Sequence, residues 1–233
     1  MTNYIPLNSS THKNTKITPP KSLTHTRSMH LAPLSVQEFA NACHDYPIVF
    51  VKDSETGQFR ATALLGIKPE QNLFYDEQRW KADYIPESLR LYPFIMSINP
   101  NDPEQGMLCV DSESDLLNEY EGQALFNEDG TQSDFTKATG EFVANYNAKQ
   151  HSTLAFAKTL VEKSLLVTKN LELKLPNQES YNLTGLYIVD EEKLKSLSSE
   201  DFLYLREKGM LVPIYAQLFS LSRIQKLINL SAN

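Results

Sequence analysis

"PIVFVKDSETGQFRATALLGI", residues 47–67, decides the fold class. Two runs rich in β-branched and aromatic residues flank a polar turn holding Asp53 and Gly57, the signature of a β-hairpin. So short a connection leaves no room for a crossover helix, so the two strands are antiparallel. Downstream, "NLFYD" (residues 72–76) reads as a third strand. "YPFIMSINP" and "GMLCVD" (residues 92–100 and 106–111) repeat the pattern around a polar turn between Asn99 and Gly106, which predicts a second hairpin.

Upstream of the hairpin, "PLSVQEFANACHDY" (residues 33–46) places Leu34, Phe39 and Cys43 near helical spacing behind a Ser35 cap, and Pro47 stops the helix. Residues 1–28 are polar, carry Pro19 and Pro20, and bury too little apolar surface to order themselves. They read as a tail, mobile or pinned along the surface, leaving residues 29–233 as a single α+β domain. After Asp111 the period shifts toward 3.6. "SESDLLNEYEG" (residues 112–122) reads as a short acidic helix. Past the "NEDG" turn, Phe135, Phe142, Val143, Tyr146, Leu154, Ala157 and Leu160 fall on one stripe. That stripe predicts an amphipathic helix of roughly thirty residues, with a candidate break at residues 147–150.

"LELKLPNQESYNLTGLYIVD" (residues 171–190) carries a further hairpin signal, its turn starting at Pro176 and Asn177. "SSEDFLYLREKG" (residues 198–209) is a helix capped by Ser198 or Ser199 and closed by Gly209. In the last helical segment Pro213 suits the first turn. Strand-rich and helix-rich regions are segregated, so the class is α+β: a mainly antiparallel sheet from N-terminal hairpins, a long amphipathic helix and C-terminal helices.

Composition excludes several functions. The 233 residues carry a net charge of -7 and no basic stripe, since Lys13, Lys16 and Lys21 are dispersed, so nucleic acid is not an expected partner. Cys43 and Cys109 form neither CxxC nor a Cys/His ligand spacing, which predicts free thiols in a reducing compartment. No stretch of 18 apolar residues exists and the N-terminus lacks the charged start and apolar core of a signal peptide. A cytoplasmic protein without a membrane span is expected.

No GxGxxG, GxxxxGK[ST], HExxH or GxSxG occurs, so the chemistries of those motifs lose their warrant. His12, His25, His30, His44 and His151 show no ligand spacing, and no metal or cofactor is expected. Cys43, His44 and Asp45 are consecutive, but neighbouring helical residues point apart, so they make no catalytic set. "NEDGTQSD" (residues 127–134) has its glycine in the wrong place for an EF-hand loop and reads as a turn into the long helix.

The densest recognition chemistry lies in "RWKADYIPESLRLYPF" (residues 79–94), which contains the only tryptophan. Pro86 fits a first helical turn and Pro93 forbids continuation, so the segment between them is a short, rigid helix of one and a half to two turns. Trp80, Tyr84, Arg90 and Tyr92 are residue types that dominate binding hot spots, and they are equally the types that fill cores. Both readings, packing and recognition, stand at this point.

The chain resembles the SapC family, named for a protein encoded with bacterial surface-layer genes. The stretches that carry the resemblance are "PLNSSTHKN", "YPIVFVKD", "LLGIKPEQNLFYD", "YIPESLRLYPF" preceded by Trp80, "LFNEDG", "LTGLYIVDEEKL" and "LVPIYAQLFSLSRIQKL". The resemblance implies a bacterial accessory protein and supplies no catalytic residues. The expected function is therefore non-catalytic recognition of a protein or peptide partner through Trp80, Tyr84, Arg90 and Tyr92. The alternative is an enzyme, or a substrate-handling subunit, with a pocket along the same stretch and with His44 or Asp111 brought near by folding. An exposed sheet edge or the long helix would suit a homodimer, and the oligomeric state is left open.

Overall fold

A computed structural model describes residues 3–76, 79–99, 102–175 and 179–232. The chain forms two compact units, Met1–Ser22 with Arg90–Ala148 and Leu23–Leu89 with Lys149–Asn233. The fold is α+β, with antiparallel sheets, one long helix and helices at the C-terminus.

The second unit holds the decisive hairpin. Ile48–Lys52 pairs with Phe59–Leu64 from Ile48 opposite Ala63 to Lys52 opposite Phe59. The turn is built by Asp53, whose carboxylate accepts from the Glu55 and Thr56 amides and from the Thr56 hydroxyl, while Gly57 supplies a φ of 70°. These strands sit inside a five-stranded antiparallel sheet, flanked by Leu31–Pro33 on one side and by the hairpin of Leu166–Lys174 and Ser180–Val189 on the other. Pro176 and Asn177, expected to start that hairpin's turn, lie outside the described residues. Ile48, Val49 and Phe50 are all buried, so the sheet is covered on both faces. Phe50 meets Phe39 and Phe156 at ring distances of 6.3 and 6.4 Å, and Phe39 meets Phe156 edge-on at 6.0 Å, which makes an aromatic centre for this core.

Ser35 opens its helical segment with the capping box that its sequence suggests, Glu38 being the reciprocal partner. The α-helical part is brief, Phe39–Ala42. "NLFYD" does not join the large sheet. Tyr75–Asp76 pairs instead with Arg79–Trp80 in a two-stranded ribbon. Ser198 caps Ser199–Glu207 through the Asp201 amide, and Gly209 follows with a φ of 67°. Pro213 lies in the first turn of Leu211–Ser220.

The first unit has its own sheet and core. Phe94–Asn99 pairs with Asp102–Asp111, and that strand pairs on its other edge with Tyr4–Pro6, Tyr4 standing opposite Asp111. Part of the polar N-terminal segment is thus a sheet strand. Ile17, Phe94, Val110, Leu125, Phe126 and Val143 form the core. The acidic helix expected at residues 112–122 does not form. Leu117–Asn118 and Gln123–Ala124 instead flank Lys16–Ile17 as two short antiparallel ladders. The Asn118 side chain accepts from the amides of Tyr120 and Glu121, a local turn that competes with helix formation. Asp134–Glu162 is a helix of 29 residues, continuous through residues 147–150.

Candidate functional site

The cleft beside Trp80 is lined from three places in the second unit: Asp45, then Asp76 and residues 79–83 of the ribbon and the stretch after it, and Lys226 and Leu230 of the C-terminal helix Ile224–Leu230. Trp80 lies half-buried on Phe74, with ring centroids 6.2 Å apart and planes at 26°, and Phe74 in turn meets Tyr46 edge-on at 4.7 Å. The indole N–H of Trp80 donates to the Tyr46 hydroxyl at 2.7 Å. That hydroxyl donates onward to the Tyr84 carbonyl. Tyr46 is fully buried, and burial pushes its phenol pKa far up, so it keeps the proton this second bond needs. With one bond accepted and one donated, Tyr46 fixes the indole and has no proton to spare for catalysis.

Two buried carboxylates hold the backbone around the tryptophan. Asp45, 5% exposed, accepts the Asp83 and Tyr84 amides on one oxygen at 3.1 and 2.9 Å and the Lys226 ammonium on the other at 2.7 Å. Glu38, 2% exposed, accepts the Ser35 amide and hydroxyl on one oxygen. Its other oxygen takes the Tyr84 hydroxyl at 2.9 Å and the Glu87 amide at 2.8 Å. Glu87 itself is bound by Lys149 at 2.7 and 2.9 Å. A buried carboxylate is tolerated only when its lone pairs are taken, and here they are. Both acids are committed to holding residues 83–87, which suits a rigid binding surface better than a general base.

Four of the sequence-selected residues separate into two pairs. Trp80 and Tyr84 belong to the second unit, with Trp80 facing the cleft and Tyr84 serving the frame through Glu38 and Tyr46. Arg90 and Tyr92 belong to the first unit. Arg90 is exposed, with its guanidinium 5.9 Å from the centroid of Phe142. Tyr92 is half-buried, and burial raises its pKa, opposed by a hydrogen bond with Ser114 and supported by the nearby Asp111 carboxylate. The helix between Pro86 and Pro93 is a single turn, Glu87–Arg90, with both prolines buried. Cys43, His44 and Asp45 point apart as expected: the thiol donates to the Ala40 carbonyl, His44 is exposed and Asp45 is turned inward.

The cleft is open and polar, with a volume of about 600 Å³. Six charged side chains line it. Asp45 pairs with Lys226 at 2.7 Å and Asp76 with Lys81 at 3.7 Å. Arg79 and Asp83, both exposed, make no ion pair among the described residues. The rim therefore offers one uncommitted cation and one uncommitted anion beside an indole face. Among the described residues no group of three or more metal-ligating side chains converges.

Fold and cleft define a class: an α+β protein with a preorganised, tryptophan-floored cleft of mixed charge. Within that class the chain belongs to the SapC family, whose model matches residues 7–227 of the 233. No curated protein and no solved structure matches it. Among the described residues no helix is long and apolar enough to cross a membrane.

Proposed function

We propose that this SapC-family protein is a non-catalytic accessory protein that binds a peptide segment of a partner in the cleft beside Trp80. The charge accounting carries the reading. Among the described lining residues, Asp45 pairs with Lys226 and Asp76 with Lys81, which leaves Arg79 and Asp83 for a ligand. A peptide presenting an acidic and a basic residue around an apolar one matches Arg79, Asp83 and the Trp80 face. Because Tyr46 already fixes the indole and Asp45 the backbone, little ordering entropy remains to be lost on contact. Tyr84 acts as framework in this reading, and Arg90 and Tyr92 are not part of the proposed contact. Two free thiols support a reducing, cytoplasmic setting.

Trp80 is the chain's only tryptophan, so its emission reports on this cleft alone. Titration with short peptides of mixed charge is expected to shift that emission saturably, and Arg79→Ala is expected to weaken the response about tenfold, roughly 1.4 kcal/mol. A flat emission with every peptide, or equal affinity for wild type and Arg79→Ala, sinks the reading. The cleft volume of about 600 Å³ also suits a small zwitterionic molecule, the substrate-handling alternative. Free amino acids and dipeptides in the same titration separate the two, since only the alternative gives them the tighter binding.

A further inference from the structure

The helix Leu211–Ser220 reads LVPIYAQLFS and contains no Asp, Glu, Lys or Arg. One face is docked on the large sheet. Gln217 donates to the Ile48 carbonyl at 2.9 Å and accepts the Val189 amide at 3.1 Å, and the Ser220 hydroxyl accepts the Ile48 amide at 2.9 Å. Ile214 is fully buried on that side. The opposite face is apolar as well. Val212 and Phe219 are 67% and 69% exposed, Tyr215 is 41% exposed, and they recur at i, i+3 and i+7 as one stripe. Tyr215 and Phe219 stack at 6.3 Å with planes at 26°. Beside the stripe lies a hollow of about 480 Å³ whose wall includes Leu197, Phe202, Leu203 and Tyr215.

A helix apolar all round is normally covered on both faces. We propose that the outer face is covered by a second copy of this chain, in a two-fold contact. Area supports it first. At roughly 200 Å² for a fully exposed large side chain, the exposures of Val212, Tyr215, Phe219, Phe202 and Leu203 amount to about 500 Å² of patch. A stable interface takes about 800 Å² from each partner, and roughly 56–65% of that is apolar. The patch therefore supplies the apolar share of one side of a standard dimer. Charge supports it second. In a two-fold contact each residue lies near its own counterpart, so any charge at the centre meets its like. The helix stripe carries no charge to meet its like, and the two charges in the wall of the hollow, Glu191 and Lys195, pair with each other at 3.1 Å. Shape is the third support, because projecting rings and a neighbouring hollow on one face allow each copy's Phe219 to enter the hollow of the other.

Light scattering and sedimentation over a concentration range test the contact, independently of the Trp80 cleft. Wild type is expected to double in mass with concentration. Val212→Asp and Phe219→Asp are each expected to raise the dimer dissociation constant at least about 30-fold. Tyr120→Asp, at an isolated site 88% exposed, is expected to leave it unchanged. A wild type that stays monomeric at every concentration overturns the proposal and assigns the face to another partner, and dimers that survive both aspartates overturn it equally. Should circular dichroism show an aspartate variant unfolded, the double variant Val212→Ser with Phe219→Ser decides: retained dimer refutes, lost dimer supports.

Discussion

Tyr46 shows how much of the cleft hangs on one hydroxyl. Replacing it with Phe keeps the ring on Phe74 but strands the Trp80 indole N–H and the Tyr84 carbonyl. Urea unfolding is expected to show a loss of about 1–3 kcal/mol, with a broader Trp80 emission band. The pH profile supplies an independent check. Burial raises the folded-state pKa of Tyr46 above its ordinary 10.0, so its contribution is complete below pH 10 and is lost as the unfolded chain ionises above it. The wild type should therefore lose stability faster than Tyr46→Phe above pH 10, and parallel curves would show that the phenol is not buried as described. Glu38→Gln turns one acceptor oxygen into a donor amide among four donors. A cost of about 2 kcal/mol or more is expected, with faster amide exchange at Ser35 and Glu87. At this scale the sequence points to Trp80 and Tyr84 by residue type, and it carries no sign of the bonds that join Asp45 to Lys226 and Tyr46 to Trp80. Lys226 reaches Asp45 across 181 positions. No local pattern encodes that distance. The local signal is the pair of polar residues His44 and Asp45 directly after Phe39–Ala42, of which Asp45 is turned inward.

Among the elements, the hairpin of residues 48–64 was legible because its turn is written in side chains. The Asp53 carboxyl is held below its ordinary value, first by the Thr56 amide, then by the Thr56 hydroxyl, with the Glu55 amide and Arg60 adding to it. A depressed folded-state pKa means that the contribution is present above the unfolded value near 3.8 and disappears as pH falls through the folded one. Asp53→Asn should therefore flatten the acid limb of the stability curve and speed amide exchange in Ile48–Lys52, and an unchanged acid limb would remove the carboxylate from the turn's support. The long helix was legible from its period alone. Gly140 sits inside it at an ordinary helical position, and a Cβ added there would meet only Leu108 Cδ2 at 3.9 Å. Gly140→Ala should raise stability by about 1 kcal/mol in thermal or urea unfolding. Residues 112–122 were misread because acidic and leucine residues at helical spacing look the same whether or not Asn118 closes a turn and Ile17 draws both flanks into ladders. Gly122, with a φ of 101° and the Ile17 carbonyl 2.1 Å from where a Cβ would sit, was the clue that this chain bends tightly.

Across the whole molecule, the two compact units interleave in sequence, so no shift of composition marks the passages at residues 22–23, 89–90 and 148–149. Each unit has a core of its own, one centred on Phe39, Phe50 and Phe156 and one on Phe94, Val110 and Val143. Ionic strength tests the proposed dimer a second way. Each copy carries a net charge of -7, and these charges oppose association at a distance while the Leu211–Ser220 face attracts only on contact. Raising salt from about 0.01 M to about 0.15 M shortens the screening length from roughly 30 Å to roughly 8 Å. Repulsion between the copies then fades, whereas burial of Val212, Tyr215 and Phe219 keeps its driving force. The dissociation constant is expected to fall several-fold over this range. A constant that rises with salt would mean that the copies are held by ion pairs, which this charge-free stripe cannot supply, and the contact would have to lie elsewhere on the molecule.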